Sequence, residues 1–387
     1  MNRAPAAPAL ATSTLDEPER LARLRLARTS GIGPQSFRQA IEHHGSAQAA
    51  LPRLAAAARR GHAVAPPSTA EIEDERARLA ALGAALLVWG DADYPPLLAA
   101  IADPPPVLSV LGDIGLLHRR MVAIVGARNA SAAGRRFAEE LAADLGEAGL
   151  VVASGLARGI DTAAHRGALR TGTVAAMAGG VDVIYPPENA GLHEAMRGRG
   201  ALLSEVPPGT EPRARHFPRR NRIIAGLALG TVVIEAAIGS GSLITARCAL
   251  EEGREVMAVP GFPSDARARG GNELIRNGAA LIEGAADVLA ALPAAPAPRP
   301  RRTLPLFDAP EAPPATPVTA PATDATTDPG TPDATAAVLA LLSPAPVSVD
   351  ELVRRCHLSA AQLTAVLLDL ELEGRIERHP GSRVSLV

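Results

Sequence analysis

The sequence predicts an α/β fold in which an extended Rossmann-like, doubly wound domain lies between a small N-terminal helical domain and a C-terminal winged helix. Two patterns predict the central domain. From about residue 85 to 292, short continuous apolar runs alternate with helical stretches, which is typical of a parallel sheet covered on both faces. Glycine-rich loops follow several of these runs, as they do in doubly wound ligand-binding domains.

Composition divides the 387 residues into five segments. Residues 1–18 are rich in Ala and Pro, which predicts a disordered N-terminus. Residues 19–84 predict short helices; the Gly-Ile-Gly-Pro sequence at 31–34 resembles the turn of helix-hairpin-helix or SAM-like modules, and a plain helical turn is an equally good interpretation. Residues 293–333 predict a Pro/Ala-rich linker, and residues 334–387 predict the winged helix.

The predicted elements of the central domain follow in chain order. Apolar runs predict strands at 122–125, 150–153, 173–177, 231–234 and 255–259. Helical patterns predict helices at 134–147, from 161 onwards, at 221–229 and at 243–252. In the last segment, three predicted helices at 336–342, 349–355 and 359–373 precede a hairpin at 375–387, which together predict the winged helix.

The chain contains no lysine, so all 39 of its Lys and Arg residues are arginine. A Walker P-loop, a protein kinase and a Schiff-base enzyme each need a lysine amine, and the sequence excludes all three classes. Two cysteines far apart predict neither a disulfide framework nor a zinc site. The N-terminus has no signal-peptide core, and the longest uncharged apolar stretch, 223–234, is too short to span a membrane. We therefore expect a soluble, cytoplasmic protein.

Positive charge is concentrated in one third of the chain. Residues 118–222 contain 15 Arg against 10 acidic residues, whereas the whole chain has a net charge of −2. The densest run, Arg213–Arg222, holds five Arg together with Phe217 and leads into the predicted helix at 221–229. Because Arg forks pair with phosphate oxygens and an aromatic ring can stack on a nucleobase, this run predicts contacts with a single nucleic-acid strand.

Four glycine-containing loops follow predicted strands. Since ligands bind outside the carboxyl ends of parallel strands, and glycine lets backbone amides approach an anion closely, these loops predict a phosphate-binding floor. The loops are Gly126–Arg128, Ser154–Gly155, Gly179–Gly180 and Gly239–Ser242. The first strand is not followed by G-x-G-x-x-G, so a dinucleotide cofactor is disfavoured.

The sequence supplies no convincing catalytic constellation. Asp161 is interpreted as a helix N-cap, with His165 one turn further on. Ser154 and Ser242 have no evident His base, and no cluster of residues has the spacing of metal ligands. We therefore expect a binding protein and not an enzyme, with neither a cofactor nor a metal.

These residues resemble the family of DNA processing protein A (DprA, also called Smf). The resemblance extends through the whole central domain. It rests on the motifs Asp93-Tyr-Pro95, Ile124-Val-Gly-Ala-Arg128, Ser154-Gly-Leu-Ala-Arg-Gly-Ile-Asp161, Phe217-Pro-Arg-Arg-Asn-Arg222, Gly239-Ser-Gly-Ser242 and Gly253-Arg-Glu-Val-Met-Ala-Val-Pro-Gly261.

The resemblance implies a protein that binds incoming single-stranded DNA in natural transformation, protects it from nucleases and loads RecA recombinase onto it. It also implies a homodimer formed through the Rossmann-like domain, no enzymatic activity and no membrane contact. The residues expected to contact DNA are Gly126, Arg128, Ser154, Gly155, Arg158, Phe217, Arg219, Arg220, Asn221, Arg222, Ser240, Gly241 and Ser242. Asp161, His165 and Glu235 are expected to hold loops in place. Replacing Arg220 and Arg222 by Glu is expected to abolish DNA binding and leave the fold intact.

An alternative hypothesis is a nucleotide-binding hydrolase of the phosphoribohydrolase-like Rossmann type. Those enzymes carry a Pro-Gly-Gly-x-Gly-Thr-x-x-Glu loop. The corresponding stretch, residues 238–245, lacks the Pro, the double Gly and the trailing Glu, and Glu235 precedes it instead. A third hypothesis, a transcription factor that recognises duplex DNA through the winged helix, is disfavoured by the charge of that domain.

The predicted third helix of the winged helix, 359–373, carries Asp369, Glu371 and Glu373 and no Arg. An acidic helix is poorly suited to enter a DNA groove, because it meets a dense array of phosphates. We therefore predict that deleting residues 293–387 changes the affinity for single-stranded DNA by less than about threefold, since few phosphate contacts would be lost. A gel shift with and without this segment measures the change, and a large loss of affinity would contradict the prediction.

Overall fold

The computed structural model describes residues 15–59, 65–293, 334–343 and 347–356, and then 358, 363, 366–367, 369–371, 375–379 and 383–386. The chain divides into two compact units, residues 1–293 and residues 294–387. The predictions for residues 1–14 and for the linker at 294–333 lie outside the described residues. Among the residues that are described, no helix combines the length and apolar character needed to cross a membrane.

The first unit begins with four helices, after which helices and strands are interspersed. Its helices are α1 Glu17–Arg28, α2 Pro34–His44, α3 Ala47–Arg59, α4 Thr69–Ala81, α5 Pro96–Ala99, α6 Ala132–Glu147, α7 Ile160–Ala168, α8 Ala190–Arg199, α9 His216–Leu227, α10 Gly241–Glu251, α11 Arg269–Arg276 and α12 Ala285–Ala291. Short 3-10 helices cover Ile114–His118 and Pro187–Asn189. Its strands are β1 Ala85–Val88, β2 Val107–Gly112, β3 Met121–Gly126, β4 Val151–Ser154, β5 Thr173–Ala176, β6 Ala201–Ser204, β7 Gly230–Ile234, β8 Glu255–Ala258 and β9 Ala280–Leu281.

The strands of the first unit form one sheet in the order β1-β2-β6-β5-β4-β3-β7-β8-β9. Neighbours from β6 to β9 are parallel, as predicted. Strand β2 pairs antiparallel with β6, and β1 pairs antiparallel with β2, so the sheet is antiparallel at this edge, for which the sequence predicted no strands. An apolar run shows that a strand is buried but does not record its direction, which depends on the connection between strands.

The order of the strands reverses at β3. Strand β4 follows β3 in sequence on one side, whereas β7 pairs with β3 on the other. Helices α6 and α7 cover this part of the sheet, and Ile124, Val152 and Val232 are fully buried in the core that results. In doubly wound sheets the crevice for a ligand opens outside the carboxyl ends of the strands at such a reversal.

The N-terminal helices pack directly on the sheet. Leu24 of α1, Ile72 of α4, Val88 of β1 and Val107 of β2 form one buried apolar cluster. Side chains cap the first turns of α1 and α4: Asp16 accepts from the amide of Glu19, and Ser68 and Glu71 form a capping box at α4. The predicted helical segment is therefore present and belongs to the same compact unit as the sheet.

Helix α9 begins earlier than predicted. The sequence indicated a start at Asn221, whereas the helix begins at His216 and contains Pro218 in its first turn. A proline is compatible with that turn because the amides there have no partner within the helix. As a consequence Arg219–Arg222 form a helical turn, and their side chains point in different directions around the axis.

The second unit contains α13 Ala334–Leu339, β10 Val347–Ser348, α14 Val349–Cys356, β11 Ile376–His379 and β12 Arg383–Leu386. Strand β12 pairs antiparallel with both β10 and β11. Val338, Leu352, Leu367 and Val384 are buried in its core. Where the predicted third helix is described, at 363, 366–367 and 369–371, the chain is helical, and Glu373 lies outside the described residues. The predicted fold class, an α/β sheet with an N-terminal helical segment and a C-terminal winged helix, is confirmed.

Candidate nucleic-acid interface

A cavity opens at the carboxyl ends of β3 and β7, where the strand order reverses. We call it the switch-point cavity; its volume is about 500 Å³. The residues after β3, the first turns of α9 and the start of α10 line it. The part of its lining used below is Gly126, Arg128, Asp161, Phe217, Arg220, Asn221, Ser240–Ser242 and Arg267.

A second cavity adjoins the first. We call it the inner cavity; it lies beside the loops that follow β4 and β5, and its lining includes Gly155, Arg158, Met177, Tyr185 and Pro212. The two cavities have four lining residues in common: Arg128, Ala157, Phe217 and Arg220. We use the word groove for the two cavities together.

Arg128, Phe217 and Tyr185 stack on one another at the border of the two cavities. The guanidinium carbon of Arg128 lies 4.9 Å from the centre of the Phe217 ring. The centres of the Phe217 and Tyr185 rings are 5.7 Å apart at an angle of 59°. Arg128 and Tyr185 are exposed and Phe217 is half-buried. The stack therefore presents a cation and two rings to anything that enters the groove.

Arg220 is buried, in contrast to the expectation from sequence. Only 4% of its surface is exposed, and its Nη1 donates to the carbonyl of Ala176 at 3.0 Å. A side chain on residue 155 would place a Cβ 1.6 Å from that nitrogen, so it would displace the guanidinium from this position. Burial lowers the pKa of Arg220 to about 10, while the charge of Asp161 opposes the shift and that of Arg128 adds to it.

Arg222 is also buried, and its partners are acidic. It forms ion pairs with Glu205 and with Asp103, the latter at 3.3 Å between Nε and Oδ2, and it donates to the carbonyl of Asp103 at 2.6 Å. Arg219, which is 57% exposed, lies 3.4 Å from Glu205. Substituting Glu for Arg220 and Arg222 would bury unpaired negative charges, so the burial of both residues leads us to expect that this change destabilises the fold.

Asn221 and the loop before α10 are held together. Asn221 Nδ2 donates to the carbonyl of Gly241 at 3.1 Å, and the hydroxyls of Ser240 and Ser242 are 2.8 Å apart. Gly241 is exposed, whereas Ser242 and Asn221 are each 8% exposed. The start of α10 thus contributes an exposed backbone to the switch-point cavity, and the Asn221 amide fixes its position.

The loop after β4 uses its polar groups internally. The hydroxyl of Ser154, which is fully buried, donates to the carbonyl of Ile124 at 2.6 Å. The amides of Gly155 and Ala157 donate to the carboxylate of Asp161 at 3.1 and 3.3 Å. The Ser154 hydroxyl and the Gly155 amide were expected to bind phosphate. Both donate to groups of the protein instead, so neither is free to do so in this structure.

Asp161 lies one residue inside α7 and is not its N-cap, which is Gly159. The sequence interpretation of Asp161 as an N-cap is therefore wrong. Its carboxylate instead accepts hydrogen bonds from two amides of the preceding loop. Burial raises the pKa of Asp161, while Arg220 and the two amide donors oppose that rise.

His165 is a fully buried neutral side chain. Its Nε2 accepts from the amide of Leu156 at 3.2 Å, and its Nδ1 lies 2.7 Å from the hydroxyl of Thr173, which itself donates to the carbonyl of Val152. The Nδ1–H tautomer satisfies all of these contacts. Leu156 has a φ of 53°, so this bond supports a strained position.

Glu235 also has a structural position at the end of β7. Its carboxylate accepts from the amide of Ser131 at 2.8 Å and from the Ser131 hydroxyl, at the start of α6. Gly126 permits the close approach of β3 and β7, since a Cβ there would lie 1.9 Å from the carbonyl oxygen of Ile234. A hydrolase that used Glu235 would have to release it from these contacts.

Two arginines that reach solvent complete the rim. Arg158 is 63% exposed and lies 3.8 Å from Glu188, beside the inner cavity. Arg267 lines the switch-point cavity and pairs with Asp265 at 2.8 Å.

Arg267 and Tyr185 were not predicted from the sequence as site residues. A signal for Tyr185 was present, since the chain has two Tyr residues and this one lies shortly after the predicted Gly179–Gly180 loop. Arg267 has no such signal because it lies in a long loop.

Comparison with known proteins gives a consistent result. The sequence profile of DNA recombination-mediator protein A matches residues 85–293, that of the DprA-like N-terminal HHH domain matches 17–77, and that of the DprA winged helix domain matches 310–382. Protein Smf of Escherichia coli is 38% identical over 296 residues, which cover 76% of this chain and 75% of that protein. DNA processing protein DprA of Bacillus subtilis is 46% identical over 203 residues, 52% of this chain and 68% of that protein. The X-ray structure of DprA from Streptococcus pneumoniae matches with a TM-score of 0.61 at 34% identity, covering 73% of this chain and 99% of that one.

The position of His165 predicts a specific dependence of stability on pH. Burial, with a contribution from Arg220, lowers the pKa of His165 from 6.5 to about 3. Between these values the unfolded chain takes up a proton that the folded chain does not, so stability is lost as the pH falls below 6.5. We predict that the free energy of unfolding decreases by about 2 kcal/mol from pH 7 to pH 5 through this group.

Urea unfolding of the wild type and of His165→Asn at both pH values measures this contribution. The variant is less stable at pH 7 but lacks the proton uptake, so its pH dependence is shallower. Parallel pH dependences in the two proteins would show that His165 is not the group responsible.

Proposed function

Since the chain belongs to the DNA recombination-mediator protein A family, also called DprA or Smf, we propose that it binds single-stranded DNA in the groove. In this proposal it protects incoming strands in the cytoplasm during natural transformation and loads RecA recombinase onto them. It acts by binding alone and turns over no substrate.

The charge of the groove is the observation that carries the proposal. Arg128, Arg158 and Arg220 line the inner cavity, and no carboxylate of the described residues lines it. Arg128, Arg220 and Arg267 line the switch-point cavity, where the lining carboxylate, Asp161, accepts from backbone amides. A concave surface with this excess of positive charge attracts a phosphate backbone.

The aromatic rings favour a single strand over a duplex. Bases of a single strand are free to stack on protein rings, whereas those of a duplex already stack on one another. Phe217 is half-buried between Arg128 and Tyr185, and Tyr185 is 48% exposed. We propose that bases pack against this stack while phosphates meet the arginines around it.

The burial of each arginine suggests a division of roles. We propose that Arg128, Arg158, Arg219 and Arg267 contact phosphates, because their side chains reach solvent. The remaining predicted contacts have other roles in this proposal. Arg220 is the floor of the groove, while Arg222, Asn221 and Ser154 maintain its shape through their internal bonds.

We also propose that two copies associate through the β9 edge of the sheet. Large apolar side chains are exposed there: Ile238 is 67% and Leu281 46% exposed. Ile238, Ile275 and Leu281 line a shallow cavity beside this edge. An exposed apolar patch at an open strand edge is the kind of surface that a second copy covers.

The variant Arg128→Ala tests the binding proposal. Loss of this side chain removes a phosphate contact and the cation that stacks on Phe217. We predict that the affinity for oligo-dT falls about tenfold and that the slope of log K against log salt becomes shallower by about 0.7. Fluorescence anisotropy at several salt concentrations measures both quantities, and the rate at which RecA assembles on the strand should fall in parallel.

Arg197→Ala is the matched control, since Arg197 is a partly exposed arginine of α8 that pairs with Glu194. It should bind oligo-dT as the wild type does. If both variants bind equally well, or if duplex DNA competes as strongly as oligo-dT, the proposed site is incorrect.

The variant Leu281→Arg tests the association proposal. A charge in the middle of the apolar patch would have to be desolvated in the interface, which costs several kcal/mol. We predict that the wild type is a dimer and this variant a monomer, as measured by light scattering over a range of concentrations. Leu289→Arg, at a side chain of α12 that is 40% exposed, should remain a dimer. A monomeric wild type would refute the proposal.

A further inference from the structure

A series of ion pairs and hydrogen bonds connects the N-terminal helices to α9. Arg28, the last residue of α1, binds the carboxylate of Glu75 on α4 through Nε and Nη2, with a shortest distance of 2.7 Å. Its Nη1 donates to the backbone carbonyl of Glu205 at 2.9 Å. The side chains of Arg28 and Glu75 are largely buried. One guanidinium therefore joins α1, α4 and the residue that follows β6.

The carboxylate of Glu205 continues this series of contacts. Its Oε2 pairs with Nη2 of Arg222, and its Oε1 lies 3.4 Å from Nε of Arg219. Arg222 is also held by Asp103, through both the carboxylate and the backbone carbonyl of that residue. Because Arg28 holds the backbone of Glu205 and Arg222 holds its carboxylate, the position of Oε1 is set before any ligand binds.

Arg219 is bound at one edge of its guanidinium and free at the other. Its Nε faces Glu205, whereas its Nη1 and Nη2 form neither a hydrogen bond nor an ion pair with any described residue. More than half of the side chain is exposed to solvent. An arginine that is already oriented loses less conformational freedom when it binds a phosphate than one that rotates freely. Glu205 is therefore suited to present the outer edge of Arg219 to a phosphate.

We propose that Glu205 is a positioning residue for the phosphate contact at Arg219, and that the Arg28–Glu75 pair holds Glu205 in the required place. The proposal rests on the proposed function and gives the N-terminal helices a part in it. They raise the affinity for single-stranded DNA without touching the strand, since Arg28 bonds to Glu75 and Glu205, neither of which is among the described residues that line the groove.

Glu205 would have the opposite effect if it neutralised the charge of Arg219 and so weakened phosphate binding. The geometry favours positioning, because the closer ion pair of Glu205 is with Arg222 and its contact with Arg219 is to the inner nitrogen, Nε. The two roles give opposite results. Displacing Glu205 weakens DNA binding if it positions Arg219 and strengthens DNA binding if it neutralises Arg219.

Replacement of the Arg28–Glu75 pair by apolar residues tests the proposal. The double variant Arg28→Met with Glu75→Leu removes the donor to the Glu205 carbonyl. It keeps the net charge of the chain and leaves neither member of the buried pair without its partner, so we expect the fold to survive. We expect the affinity of the full-length variant for oligo-dT, measured by fluorescence anisotropy, to fall about fourfold.

A double-mutant cycle with Arg219→Ala shows whether the effect passes through Arg219. Arg219→Ala by itself should bind oligo-dT about fivefold more weakly than the wild type, because a phosphate contact is lost. Replacing the Arg28–Glu75 pair in the Arg219→Ala chain should then cause no further loss. A purely structural role of the pair would lower the affinity by the same factor in both backgrounds.

Arg28→Lys keeps the test open if the double variant does not fold. Lysine retains a cation beside Glu75 but lacks the planar fork that reaches Glu75 and the Glu205 carbonyl at once. Binding of oligo-dT should again weaken, and again only in a chain that contains Arg219.

The matched control is Arg38→Met with Glu42→Leu. These residues form an ion pair within α2 at 2.8 Å, and the pair does not extend to Glu205. The control also keeps the net charge and should bind oligo-dT as the wild type does. Urea unfolding of every variant measures stability separately from affinity.

Unchanged or tighter binding by the Arg28–Glu75 variant would overturn the positioning role, as would an equal loss in the Arg219→Ala background or in the control. If Arg219→Ala binds as the wild type does while Arg128→Ala binds more weakly, positioning of Arg219 is refuted and strand binding in the groove stands. If the wild type does not bind oligo-dT, the proposed function is refuted, and the positioning role with it.

Discussion

The burial of the Arg220 guanidinium is the constraint on which the carboxyl edge of the sheet depends. Its Nη1 donates to the carbonyl of Ala176 at the end of β5, and the guanidinium occupies the space that a side chain at 155 would need. A buried cation needs nearby negative charge, and Asp161 supplies it. The same carboxylate accepts from two amides of the loop after β4 and so holds that loop in place. His165 carries no charge in this environment, which suits a group close to Arg220, and its ring supports the same loop at Leu156.

Burial divides the arginines of this region into two groups with different chemistry. Arg220 and Arg222 are buried and satisfy the fold, the latter through Glu205 and Asp103. The exposed group keeps its charge available to solvent, and Arg128 is the member that lies at the border of both cavities. A chain without lysine thus uses one residue type both as a structural cation and as a binding cation, which is possible because the planar guanidinium tolerates burial better than a compact ammonium.

Local sequence patterns predicted the central strands of the sheet, but they did not predict its antiparallel edge strands or the start of α9. Continuous apolar runs located β3, β4, β5, β7 and β8 to within a few residues, because a strand buried on both faces must be apolar throughout. The antiparallel edge β1–β2 and the short strand β6 were not predicted, since their pairing is decided by distant segments. The start of α9 was predicted at 221, whereas the helix begins at His216 and accommodates Pro218 in its first turn.

The sequence by itself determined the class of fold, the excess of arginine in one third of the chain, and the glycine-rich loops that mark the ligand edge of the sheet. These are properties of composition and spacing, and they do not depend on contacts between distant residues. The tertiary structure alone decided which of the neighbouring Arg219, Arg220 and Arg222 face solvent, because a helical turn directs adjacent side chains to different surroundings. It also brought Tyr185 against Phe217, a contact across 32 residues that no local pattern contains.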